Sequence, residues 1–494
     1  MRLKRCFLAG LAALAISGYA GIAMPQERME HFDKEPAWEE RNNRASDCQP
    51  RTIRQDFGYS RTHHAGGAVG EIGGFITAAA EPAYYARKIP TRTLQDTLTA
   101  SGSLAVTGRA FHVLLGFFHT SSLKEWRTPN TLALRLLGRG DVFYAYVEYA
   151  TSQWRAGGDS PRPFPMVRDP EMGRDQPRGF AANGTVHHWS LRYDPQGNHG
   201  GGSLIATLDG QVAICNLEPG HKADGARFNR FGLLTVMKSA DDGGEVWLDD
   251  VTVNGVKEDF TRDPGWEGFH NRRVYATRDI RPCFDFGYSP TRYAGGKGKG
   301  ELGGLVFRGD CRDPRKMASY ADRLSVLTLE RPLKASGKVS LRRGVSDSTT
   351  LIGFFHSRDS MTVNDSQSFL IPRSFLGIAL EGPSREGFFF APAYHTREDA
   401  QGYASDSDNP PRILPDGSSH TWSLEYVPGS AEGEGYLLVA LDRHPVKIRV
   451  NVDFRKTGTQ FDRFGIITTW IDGNGQRVYF DDLQYTSAQE RQAR

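Results

Sequence analysis

Phe57-Gly58-Tyr59-Ser60-Arg61-Thr62, followed by Ala65-Gly66-Gly67 and Gly70-Glu71-Ile72-Gly73-Gly74, is written twice in this chain. The second copy reads Phe286-Gly287-Tyr288-Ser289-Pro290-Thr291, then Ala294-Gly295-Gly296 and Gly300-Glu301-Leu302-Gly303-Gly304. A match of this length with the same punctuation marks an internal duplication. Earlier and later stretches pair in the same order. Phe32 to Glu39, with Pro36 and Trp38, is answered by Phe260 to Glu267, with Pro264 and Trp266. His187-His188-Trp189-Ser190-Leu191 is answered by His420-Thr421-Trp422-Ser423-Leu424, and Trp247-Leu248-Asp249-Asp250-Val251 by Tyr479-Phe480-Asp481-Asp482-Leu483. The units run from 31 to 257 and from 259 to 487, with no Pro/Ser linker between them. A chain of 494 residues is too long for one core, so two touching domains are expected.

The local period inside each unit is two. Leu204, Ala206 and Leu208 alternate with Ile205, Thr207 and Asp209, and turn signals such as Asp209-Gly210 separate the runs. Asp313-Pro314 leading to Met317, Tyr320 and Leu324 has a helical spacing, but the matching Glu81-Pro82-Ala83-Tyr84-Tyr85 reads as extended chain, so a strand is expected there. The fold class is all-β: two tandem antiparallel β-sandwich domains of jelly-roll type.

Residues 1–23 read as a secretory signal. Arg2, Lys4 and Arg5 precede the apolar run Phe7 to Ile16, which is short for a membrane span, and small residues follow. The expected location is secreted or periplasmic. The formal charge is +3, and removal of the three signal bases leaves a neutral mature chain. Neutrality without basic blocks argues against nucleic acid and anionic membrane as partners. Four cysteines remain after the signal. Cys283 and Cys311 flank the second Gly-rich stretch and are the expected pair, leaving Cys48 and Cys215 to each other or reduced. No C-x-x-C spacing supports zinc. Asp194 to Asn198 and Asp472 to Asn474 read as Asx turns rather than calcium loops. No metal and no cofactor is expected.

The Trp189 strand, its Gly-rich turn, the Leu204 to Asp209-Gly210 strand and the closing Leu248-Asp249-Asp250-Val251 resemble the concanavalin A-like lectin/glucanase superfamily, including laminin-G-like modules. Both units share the resemblance, which implies a jelly roll more than an activity. The glucanase branch carries Glu-x-Asp-x-x-Glu on one strand. No such run occurs here, so that branch's retaining mechanism is not implied.

Features present in both units are expected to serve the shared fold. Trp189/Trp422, Arg230/Arg463 and the Asp pairs read as core packing, ion pairing and turn capping, and Glu71/Glu301 as caps on backbone N–H groups. Features of one unit are candidates for function. Leu132, Leu134 and Leu136 alternate with Thr131, Ala133 and Arg135, and Phe143, Ala145 and Val147 alternate with Tyr144, Tyr146 and Glu148. With Gly138 to Asp141 as the turn, Arg135 faces Tyr144 and Thr131 faces Glu148, giving an apolar face and a face of Arg135, Tyr144, Tyr146 and Glu148 suited to a glycan. His119, Glu125, Trp126, Arg127, Asn130, Trp154 and Arg155 gather at the Glu148 end. Glu125 and Glu148 are candidate acid and base for a glycosidic bond, and His119 beside Arg127 suits proton abstraction in a lyase. A loop cross-pinned by Arg–Glu pairs is the plainer reading. In the second unit, Gly377 and Ala379 leave room for a groove with His395, Glu398 and Asp399 at its end, although a solvated turn is the plainer reading there. The partner implied is a polysaccharide or other glycan, bound or broken down. The alternatives are a hydrolase or lyase sited in the first unit, and a protein-binding adhesion module, which predicts a large exposed apolar patch.

Overall fold

The computed structural model describes residues 26–45, 48–108, 112–123, 128–158, 164, 166–168, 173, 175–177, 179–237, 242–309, 317–362, 371–382, 387–429, 435–450, 458–469, 471 and 473–488. The signal segment, Glu125, Trp126, Arg127 and Cys311 lie outside them.

Four large antiparallel sheets form two β-sandwiches. In the first sandwich one sheet runs, in spatial order, Gln211–Asn216, Ser203–Leu208, Asn183–Asp194, Leu98–Thr107, Gly243–Val253, Glu71–Thr77, Arg51–Ser60 and Arg272–Thr277. The facing sheet runs Ala156–Gly158, Val142–Ala150, Thr131–Arg139, His112–Phe118, Arg227–Thr235, Ala83–Thr93 and Glu267–Phe269. The second sandwich repeats this order, with Asp285–Ser289 through His444–Val450 in one sheet and Glu39–Arg41 through Gln401–Tyr403 in the other. The helical spacing after Asp313 gives way to a strand, Ser319–Thr328. Period two dictates this: alternate side chains such as Trp189, Leu191 and Tyr193 are buried between the sheets while their neighbours face out.

Two short straps pair with strands out of chain order. The strap at residues 26–41 closes the second sandwich: Gln26–Glu30 pairs with Gly475–Ala488, and Glu39–Arg41 pairs with Ser319–Thr328. The strap at residues 267–277 closes the first: Glu267–Phe269 pairs with Ala83–Thr93, and Arg272–Thr277 with Arg51–Ser60. Phe32 and Trp38 are buried in the second core, Phe260 and Trp266 in the first. The expected Arg230 and Arg463 ion pairs are present, and their partners are strap residues: Arg230 Nη2 lies 2.6 Å from Glu267, and Arg463 Nη2 lies 2.9 Å from Glu39.

This crossing explains the loudest motif. The strap carbonyls of Phe260 and Phe32 pass against Gly70 and Gly300, where a Cβ would sit 1.9 Å from the oxygen, and both glycines hold left-handed φ, 119° and 125°. Glu71 and Glu301 cap as expected, accepting from the N–H groups of His64 and Ala65 and of Tyr293 and Ala294.

The disulfide differs from expectation. Cys48 bonds to Cys283, with Cα atoms 6.0 Å apart, and Cys215 is buried elsewhere. Each bonded cysteine follows a strap at the point where the chain changes sandwich, so the bond ties the two crossovers together. Spacing along the chain favours a local pair, whereas crossing straps bring distant residues into bonding range. Next to it, Asp279 receives Arg343 at 2.8 Å and Arg477 at 2.7 Å from the second sandwich, while Val345 packs with Val236 and Met237 of the first.

Candidate glycan-binding face

The hairpin Thr131–Arg139/Val142–Ala150 has the two faces that its alternation predicts. Leu132, Leu134, Leu136, Phe143, Ala145 and Val147 enter the first core. Its register is two residues from the expected one. Gly140-Asp141 alone forms the turn, with Gly140 at φ 67°, so Arg135 lies opposite Tyr146, Leu137 opposite Tyr144 and Ala133 opposite Glu148. A tight two-residue loop matches strand twist better than the four-residue turn, and Gly at its first position permits it.

On the other face Arg135 organises the polar groups. Its Nε donates to Glu148 Oε2 at 2.9 Å, its Nη1 meets His112 Nε2 at 3.1 Å, and its guanidinium lies 3.9 Å over the Tyr146 ring. A guanidinium only donates, so His112 Nε2 is the acceptor. Arg135 and Glu148 are 4% and 3% exposed, which corrects the open charged surface expected from sequence. Their charges are spent on each other inside the protein, and Tyr144 and Tyr146 are the partly buried members that still reach the surface. The second sandwich has Ala379, Ala391 and Ala393 where the first has Arg135, Tyr146 and Glu148.

A floor of small residues starts at Glu148. Registered across the strands are Glu148, Ala133, Gly116, Gly232 and Ala86, ending at Glu267 of the strap. Beside it Leu114, Phe118, Leu234 and Tyr84 make an apolar strip, covered by Leu123, Met237 and Val345. The space considered as a groove in the second unit is filled in the same way: Met361, Ile371 and Phe375 pack over Ala379 and Ala393. His395 is buried there between the Ile371 carbonyl at 2.7 Å and Asp399 at 3.3 Å, and Arg373 grips Asp399 through two nitrogens, while Glu398 is exposed.

The rim beyond Glu148 holds the remaining candidates that the structure describes. His119 Nδ1 accepts from the Ser121 N–H at 3.2 Å, so the neutral ring carries its proton on Nε2. Burial, then the charges of Arg227 and Arg230, hold its pKa below the ordinary value. Asn130, with φ 61°, accepts the Arg227 N–H at 2.9 Å and so fastens the hairpin entry to the next strand. Arg155 binds Asp224 through two nitrogens, each at 2.6 Å. Burial pushes the Asp224 carboxyl up, but hydrogen bonds from Arg155 and Thr151 and the Arg155 charge outweigh it, leaving it low. Trp154 turns toward the core of the second sandwich.

Counting by twos from Gly116 places His112 on the Arg135 face, so sequence held a signal for it. Asp224 comes from a distant short helix, His221–Asp224, and had none. Among the described residues no group of three or more His, Cys, Asp or Glu is placed to hold a metal ion.

No family model matches this chain, and no curated protein matches it. Solved structures similar in part include domains LG4-5 of the mouse laminin alpha1 chain, at 10% identity and TM-score 0.24, covering 91% of this chain and 100% of that one. The Emp47p carbohydrate recognition domain is 12% identical with TM-score 0.26, covering 43% of this chain and 92% of its own. An alginate lyase from Pseudomonas aeruginosa is 11% identical with TM-score 0.23, covering 40% and 85%. At such scores the likenesses decide nothing about ligand or activity, and the assignment of paired β-sandwiches rests on the sheets themselves.

Proposed function

We propose that this chain is an exported carbohydrate-recognising protein, serving polysaccharide binding or breakdown. In this reading residues 1–23 are its signal peptide, and the mature chain is a tandem duplication with copies at 31–257 and 259–487. The observation that carries it is the Arg135 cluster. One copy has replaced three small residues of the common scaffold with an arginine, a tyrosine and a glutamate, locked together and flanked by Tyr144. A ridge of two partly buried phenol rings, stiffened by a buried ion pair, suits the apolar face and hydroxyl rim of a sugar. Asn130, Arg155 and, by sequence, Trp126 and Arg127 extend the same rim.

Binding is better supported than bond cleavage. Glu148 is engaged by Arg135, and His119 has committed its Nδ1 lone pair to Ser121, so neither stands ready as a base. Glu125 is the remaining catalytic candidate of the enzyme reading. Affinity gels carrying uronic and neutral polysaccharides test the proposal. Retention on at least one is expected, with Tyr144→Ala and Tyr146→Ala each weakening it severalfold to about tenfold. No retention on any gel removes the reading, whereas new reducing ends or unsaturated products that vanish in Glu125→Gln establish the enzyme instead.

A further inference from the structure

We infer that the first sandwich pairs with a second copy of this chain through its edge strand Gln211–Asn216, joining two sheets into one. Among the described residues this strand ends its sheet, pairing on one side only, with Ser203–Leu208. Its outward side chains are Val212, Ile214 and Asn216, and Val212 and Ile214 are 53% and 57% exposed. Ile214 lies opposite Ile205 of the neighbouring strand, so the apolar surface continues inward from the edge. A free strand edge with uncharged, β-branched side chains is a template for further pairing, and proteins that stay apart block such edges with Lys, Arg or Pro.

The same chain contains the blocked version. His444–Val450 holds the corresponding edge of the second sandwich, and in register with Val212, Ile214 and Asn216 it carries Pro445, Lys447 and Arg449. Lys447 even lies across the Tyr436 ring at 4.3 Å, covering the aromatic surface behind it. The opposite edge of the first sheet, Arg272–Thr277, is also guarded, by Arg272 and Arg273. Of these edges only Gln211–Asn216 is left open.

The occupant follows from the strand's own chemistry. Gln-Val-Ala-Ile-Cys-Asn has no charged residue, so it meets itself without repulsion, whereas His444–Val450 in the same register would set Pro445, which has no N–H to donate, opposite Lys447 of its copy and gather two lysines on one face. An antiparallel pair with its two-fold axis at Ala213 sets Val212 of one copy opposite Ile214 of the other, twice, on the same face. Such a pairing is isologous and closes at two chains.

Sedimentation velocity of the full-length mature chain tests this. A dimer mass is expected, and Val212→Lys with Ile214→Arg, which copies the guarded edge, should halve it, leave the circular dichroism spectrum unchanged and remove the concentration dependence of the melt. Hydrogen exchange supplies a readout on the wild type alone: amides of 211–216 should gain protection as concentration rises. A wild type that stays monomeric at every concentration, or a dimer that persists in the double variant, overturns the inference.

Discussion

Asp481 is a buried carboxyl with an unmet oxygen. It is fully buried, its Oδ1 accepts the Asp482 N–H at 2.7 Å, and its Oδ2 finds no hydrogen-bond partner beneath Gly296. Burial pushes its pKa up to about 7, and the carboxylates of Asp482 and Glu301 push the same way against the Asp482 N–H and Lys338. The folded protein therefore holds this proton over a range where the unfolded chain, near 3.8, has released it. Stability should fall as pH rises from about 4 to about 7 and then level off with respect to this group. Asp481→Asn keeps the acceptor for Asp482 and removes the charge. Urea midpoints measured across that window should show a flatter profile and higher stability at neutral pH in the variant; an identical slope in both proteins refutes the assignment. A plainer residue effect belongs to the Arg135–Glu148 pair. Glu148→Ala removes one end of a buried ion pair and should cost about 3–5 kcal/mol, read from chemical denaturation.

At the scale of elements, the straps carry aromatic anchors into the other sandwich. Trp38 lies 5.3 Å from Phe32 and 5.6 Å from Tyr320, and Trp266 lies 5.5 Å from Phe260 and 6.1 Å from Tyr85. Truncating a buried Trp to Ala typically costs about 3–5 kcal/mol. The location of the loss is the sharper prediction. Trp38→Ala should lower hydrogen-exchange protection in Ser319–Thr328 and Gln460–Ile467, which lie far along the chain, and leave Arg51–Ser60 protected. Trp266→Ala should do the reverse.

For the whole molecule, the straps set where the folding unit of the first sandwich begins and ends. Every strand of the first sandwich lies between residues 51 and 277. A fragment of 50–280 contains its own closing strap and should fold cooperatively. A fragment of 31–257, one copy as the sequence repeats it, lacks Phe260, Trp266 and two edge strands, and should show no cooperative melt by circular dichroism. The second sandwich is closed by the first residues of the described chain and depends on both ends. Cys48–Cys283 closes 235 residues at that junction, and Cys48→Ser should lower stability by about 2–4 kcal/mol.

Alternation and turn chemistry made the strands, the two faces of the 131–150 hairpin and the caps at Glu71 and Glu301 legible from sequence, because each is set by neighbours a few residues away. Hairpin register was missed because Gly138-Arg139-Gly140-Asp141 admits more than one turn, and strand twist chooses among them. The cysteine pairing and the partner of Arg155 depend on segments from distant parts of the chain. Local periodicity says which side of a strand is apolar and that a pattern occurs twice. Which copy's strap closes which core, and whether a polar face meets water or another sandwich, is decided only when the two units pack, since that choice rests on contacts between residues hundreds of positions apart.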